Sequence, residues 1–74
     1  AVTTELIDSW RGAIADGIVA MQQQDKICRT VDAERAAAAL LAGIQGGVGI
    51  MLATGDLTYL EAALDEGISA LRRR

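Results

Sequence analysis

Leu6, Ile7, Trp10, Ala13, Ile14, Gly17, Ile18 and Met21 recur at spacings of three and four residues, the repeat of a single helical face. The spacing predicts an amphipathic helix over residues 4–23. Glu5, Asp8, Ser9, Gly12, Asp16 and Gln23 fall on the opposite side and are expected to meet water. Thr3 or Thr4 offers a capping hydroxyl, and Glu5 and Asp8 suit the positive end of the helix dipole. Residues 24–31 then lose the helical period. They mix polar side chains with Ile27 and Val31 and read as an ordered loop pinned by those two apolar anchors.

Asp32 is placed to cap a second helix over residues 33–53, with Glu34 in its first turn. Between Ala36 and Ala53 the only clearly polar residue is Gln45, so this helix has no face meant for water. Turned at 100° per residue, it carries Ala37, Leu40, Leu41, Ile44, Val48, Met51 and Leu52 on one side. The other side is nearly bald: Ala36, Ala39, Ala42, Gly43, Gly46, Gly47 and Gly49, joined by one bulky residue, Ile50. Each glycine inside a helix costs about 1 kcal/mol relative to alanine. Such a concentration implies close approach of another backbone, supplied either by a neighbour in the same chain or by a second subunit.

Gly55 reads as the stop of that helix, and Asp56 as the cap of a third over residues 56–73. Leu57, Leu60, Leu64, Gly67, Ile68 and Leu71 form its apolar stripe, widened by Ala63 and Ala70, while Glu61, Asp65, Ser69 and Arg72 mark its exposed side. The expected fold is all-α, a three-helix unit with no internal repeat and no linker. Its second and third helices carry more apolar surface than one partner covers.

Composition sharpens this reading. Seventy-four residues allow one domain at most, and a chain of that size is marginal without disulfides, metal or oligomerisation. With one cysteine and no histidine, an internal disulfide is excluded and a zinc cluster is not expected, so oligomerisation remains. Although 51% of residues are apolar, the aromatics are Trp10 and Tyr59 alone and alanine dominates, which favours closely packed helices over a sheet. A net charge of −3 disfavours contact with a phosphate backbone. The run Arg72-Arg73-Arg74 suits the negative end of a helix dipole better than a nucleic-acid tail.

Candidate chemistry is sparse. Without histidine, general acid or base work would fall to carboxylates, and these lie singly on polar faces or caps, with Asp8 and Asp16 too far apart for a close pair. No enzyme and no cofactor are therefore expected. Cys28, between Lys26 and Arg29 in the loop, reads as incidental rather than redox-active. Gly46-Gly47-Val48-Gly49 lacks the lysine of a phosphate loop. The segment from Ala36 to Ala53 has borderline length for a membrane span, weak hydropathic drive, Gln45 at its middle and no flanking aromatic belt, so no membrane is expected. The opening residues read as helix rather than as a secretory leader, and a lone cysteine suits a reducing cytoplasm.

Residues Thr30-Val31-Asp32-Ala33-Glu34-Arg35-Ala36-Ala37, then Leu40-Leu41-Ala42-Gly43-Ile44-Gln45-Gly46-Gly47, then Thr54-Gly55-Asp56 with Leu60, Ala63, Leu64 and Leu71, resemble the end of TetR/AcrR-family transcriptional regulators. Ala33 stands where that family often has proline. The resemblance implies that residues 1–74 are a fragment of the C-terminal regulatory and dimerisation domain of a bacterial, cytoplasmic repressor. The DNA-binding helix-turn-helix domain would lie outside this chain. It implies that the last two helices form an antiparallel hairpin that pairs with a second copy as a four-helix bundle, through Gly43, Gly46, Gly47, Ile50, Leu60, Ala63, Leu64, Gly67, Ile68 and Leu71. It also implies that Trp10, Ile14, Ile18 and Met21 line or back a cavity for a small apolar effector in the intact protein, although Trp10 also reads as a core or interface anchor. DNA would be contacted only through the absent domain. The rival expectation is a free-standing helical interaction module, adaptor-like or antitoxin-like.

Overall fold

The computed structural model describes residues 3–72, which form α1 (Thr4–Gln23), α2 (Ala33–Thr54) and α3 (Thr58–Arg72), with no strand among them. The all-α expectation holds. Ala1, Val2, Arg73 and Arg74 lie outside the described residues, and with them most of the cationic end assigned to the last helix.

Local chemistry sets the helix ends. The Thr3 hydroxyl accepts from the Leu6 amide at 3.2 Å and the Asp32 carboxylate from the Arg35 amide at 3.2 Å, satisfying donors that an isolated helix start leaves unpaired. Gly55, at φ 74°, ends α2 in the left-handed conformation and donates to the Met51 carbonyl at 2.7 Å. The third helix begins at Thr58 rather than at residue 56. Asp56 still acts on it, from just outside: its carboxylate accepts from the Thr58 amide at 2.9 Å. The Thr58 hydroxyl and then its amide hold the Asp56 carboxyl below its ordinary value. That contribution is present above the ordinary carboxylate range and is lost as pH falls through the lowered value.

The end of α1 uses aspartate where a glycine is usual. Asp25 has φ 59°, and the pair of bonds from the Lys26 amide to Met21 O (2.9 Å) and from the Asp25 amide to Gln22 O (3.1 Å) closes the helix as a Schellman turn. Aspartate tolerates this region better than most side chains. The Asp25 carboxylate also pairs with Arg29 at 2.9 Å.

The three helices lie in a row. Helix α2 packs against both α1 and α3, whereas the backbones of α1 and α3 do not approach each other. Helix axes pack about 8–10 Å apart, so three abreast span roughly 25 Å once the backbone radius is added. The principal extents, 38 × 27 × 14 Å, fit a row and not a triangular bundle. A row has two open faces, and its core is correspondingly small. Ala15 and Ile18 of α1, Ile27 of the loop, Ala37 of α2 and Leu71 of α3 form it, and Ala37 is fully buried.

The buried side of α1 departs in part from the expected one: Ile18 and the half-buried Ile14 keep their place on it, and the rest of the large stripe does not. Ala15 and Ile18 are buried and Arg11, Gly12 and Gln22 half-buried, while Leu6, Ile7, Trp10 and Met21 are exposed. The contact face is therefore turned by roughly a quarter of the helix circumference from the large apolar stripe. Two small surfaces, Ala15 on α1 and Ala37 on α2, pack more closely than large side chains would allow, so the bulky stripe faces the gap beside α2 instead. Trp10 is thus neither a core residue nor a neighbour of the buried cluster.

Candidate interaction surface

Helix α2 divides its circumference between two neighbours, α1 and α3, and an exposed strip. Ala37 and Leu41, both buried, and the half-buried Ile44 and Val48 lie on the side expected to be bulky. Toward α3 the approach is at the backbone level: a Cβ added at Gly47 would stand 2.7 Å from Leu60 Cα, and one added at Gly43 would stand 3.1 Å from Ala63 Cβ. A Cβ at Gly67 of α3 would strike the Leu40 side chain. Of the α2 glycines predicted to permit close approach, Gly43 and Gly47 do so, and the neighbour lies in the same chain; Gly46 and Gly49 meet nothing.

The remaining third of α2 is bare. Ala38, Ala39, Ala42, Gly46, Gly49, Ile50, Leu52 and Ala53 are exposed, and Leu52 reaches 78%. A Cβ at Gly46 or Gly49 would meet nothing within 4 Å. Gln45 is the one strongly polar side chain on this strip, and no charge interrupts it between Ala36 and Ala53. By length and composition α2 is also apolar and long enough to cross a membrane.

Of the ten positions expected at a subunit interface, the chain itself engages Gly43, Gly47, Leu60, Ala63 and Gly67 in the contact between α2 and α3, and buries Leu71 in the core. Leu64 is half-buried. Gly46, Ile50 and Ile68 stand open.

The four residues expected at an effector cavity also divide. Ile14, Ile18 and Met21 line an apolar groove of about 670 Å³ together with Gly17, Ile27, Ile68 and Leu71, with Lys26 and Arg72 at its edge. Trp10 does not line it. The groove is the space left between α1 and α3 because neither packs on the other. A second, more polar cavity of about 640 Å³ adjoins it and shares Lys26, Ile27 and Arg72, adding Asp25, Cys28, Arg29 and Thr30.

A glutamine positions the loop between the two cavities. Gln22 Nε2 donates to the Val31 carbonyl at 2.8 Å and to the Cys28 carbonyl at 3.0 Å, and the Cys28 amide donates to the Leu71 carbonyl at 3.2 Å. The loop is thereby tied to the ends of both α1 and α3. Nothing in the apolar periodicity singles out Gln22. The available signal was a polar residue immediately following Met21 and facing a loop with two apolar anchors. Gln22→Ala leaves two partly buried carbonyls without their donor, a loss of about 1–3 kcal/mol. Faster amide hydrogen exchange from Cys28 to Val31 is the expected signature, and unchanged exchange there would refute the clamp.

The electrostatics are peripheral. Asp8–Arg11 (3.5 Å) and Asp25–Arg29 (2.9 Å) are exposed pairs on α1 and the loop, not on α2, and contribute little. Arg11 Nε, on the α2-facing side of α1, is enclosed without an acceptor. Among the described residues no three His, Cys, Asp or Glu side chains stand together as metal ligands, and no polar or charged residue is buried. No family model, curated protein or solved structure matches this chain.

Proposed function

We propose that this chain is an association module, the dimerisation and effector-response portion of a TetR-like bacterial transcriptional repressor. The observation that carries the proposal is the row of three helices with a bare apolar strip along its central member. Stable domains stack two layers around a core, and here one layer exists. A second copy, applied about a two-fold axis, is the simplest second layer, because one patch then serves both sides of the contact.

The contacts Gly47 with Leu60, Gly43 with Ala63 and Leu40 with Gly67 descend along α2 as they rise along α3. That order supports an antiparallel hairpin, the half-bundle that a dimeric four-helix assembly requires. Gly46 and Ile50 supply the uncovered part of the joint, and the α2 strip extends it through Ala39, Ala42 and Gly49. In the intact repressor an effector would bias the spacing of two DNA-reading heads, and this bundle would be the pivot between them.

Sedimentation equilibrium tests the association. The parent protein is expected at twice the mass of one chain without detergent. Ile50→Glu and Gly46→Leu are expected at the single-chain mass with their helical circular dichroism retained, because neither site touches the chain's own interior. A monomeric parent protein defeats the proposal, and a chain that stays in solution only with detergent favours insertion of α2 into a bilayer. The regulator half is tested on the gene: a helix-turn-helix segment encoded upstream is expected, and a start codon immediately before Ala1 favours a free-standing module.

A further inference from the structure

We infer that the groove between α1 and α3 takes a single-chain aliphatic carboxylate, with its tail against Ile14, Ile18, Met21 and Ile68 and its head between Lys26 and Arg72. The groove has an apolar floor and open walls: Ile18 and Leu71 are buried at its base, while Met21 and Ile68 are exposed above them. Lys26 and Arg72 belong to both cavities, so they mark the line where the apolar groove passes into the polar one.

Charge identifies the head. No acidic side chain lines the apolar groove. In the polar cavity, Asp25 is engaged by Arg29 at 2.9 Å, and neither Lys26 nor Arg72 has an ion-pair partner among the described residues. Two cations without counter-ions among the described residues, at one end of an apolar channel in a chain whose net charge is −3, select an anionic amphiphile over a neutral or cationic one. Size argues the same way. A cavity of about 670 Å³ falls among small-molecule sites, which run from about 300 to 1,000 Å³. An added helix, about 10 Å across, needs an extended trough and brings no single charged end. The bond from the Cys28 amide to the Leu71 carbonyl holds the backbone of the loop bearing Lys26 beside the end of α3 that bears Arg72.

The inference deepens the effector half of the proposed function and rests on it. The dimer half is read separately by sedimentation, so a protein that pairs normally but ignores the acid overturns the ligand class alone. The experiment titrates the 74-residue protein, followed by amide NMR, with dodecanoate below its micelle concentration, with dodecanol, and with dodecyltrimethylammonium. Dodecanoate is expected to shift the amides of Ile14, Ile18, Ile27 and Ile68 and to bind about tenfold or more tightly than dodecanol, with the ammonium amphiphile weakest. The exposed double substitution K26E/R72E is expected to remove that tenfold preference with its helical circular dichroism retained. Equal affinity for all three amphiphiles overturns the inference, as does retention of the preference in K26E/R72E or silence of these amides. Binding to anionic phospholipid vesicles with no response to free dodecanoate overturns it in favour of membrane docking. Groove shifts that follow protein concentration alone overturn it in favour of a second copy.

Discussion

Gly47→Ala unfolds at a lower temperature than the parent protein, although alanine is the better helix former. The substitution gains about 1 kcal/mol of helix propensity. It also places a Cβ 2.7 Å from Leu60 Cα, and an opposing backbone atom has no rotamer through which to withdraw. Relief requires separating α2 from α3 along their whole contact, and overpacking of this kind costs about 1–3 kcal/mol. The clash outweighs the propensity, and in a chain of this size each net kcal/mol lowers Tm by about 4–8 °C. Gly47→Leu extends the same clash and is expected to disrupt the proposed subunit joint as well, giving monomer or aggregate. Gly49→Ala is the control: its new Cβ meets nothing within 4 Å, so propensity acts alone and the melting temperature is not expected to fall. Equal melting of Gly47→Ala and Gly49→Ala would show that the helices are not in contact at Gly47.

Ile18→Ala is expected to abolish cooperative folding of the isolated chain. Ile18 is 4% exposed and sits where α1, the loop and α3 converge on Ala37. Removing a buried aliphatic side chain costs about 2–5 kcal/mol. Whole domains are stable by only about 5–15 kcal/mol, and a core this small belongs at the lower end. The substitution also removes the groove floor, so dodecanoate affinity should disappear with the fold. Urea titration followed by circular dichroism reads the result, and a midpoint within about 0.5 M of the parent would mean that Ile18 is not a keystone of the cluster.

Much of the backbone could be read from the amino acids, because helix ends are local chemistry. Thr3, Asp32 and Gly55 each act where a capping rule puts them, on contacts within four residues. Asp25 escaped that reading since the chain turns there without glycine, and the strain is met by a pair of backbone bonds and Arg29. The face of α1 was less legible. Its apolar periodicity points through Trp10, Ile14 and Ile18, whereas the buried side keeps Ile18, adds Ala15 and leaves Trp10 exposed. Periodicity weights residues by hydrophobic size, but contact with an alanine-lined helix favours whichever side allows the closest approach.

The same limit applies to the surface positions. That the glycines of α2 admit another backbone was legible from their number. Which of them face α3 was not, because the choice depends on the angle at which α3 returns across α2. Lys26 and Arg72 are distant in sequence and come to line one groove only once the loop is fastened to the end of α3. Gln22 was hidden for a similar reason, since its two acceptors lie six and nine residues further on.

A helix engaged on two flanks by its own chain, and on the third by the proposed second copy, has little room to drift. Along α2, a larger residue at Gly47 is opposed by α3, one at Ala37 by the core, and a charge at Ile50 by the proposed second copy. In a saturation library of this protein, Ala36 to Ala53 should accordingly be the most intolerant stretch, with Gln45 as its most permissive site. Substitutions that unfold the chain and substitutions that only separate its copies should alternate there with the turn of the helix.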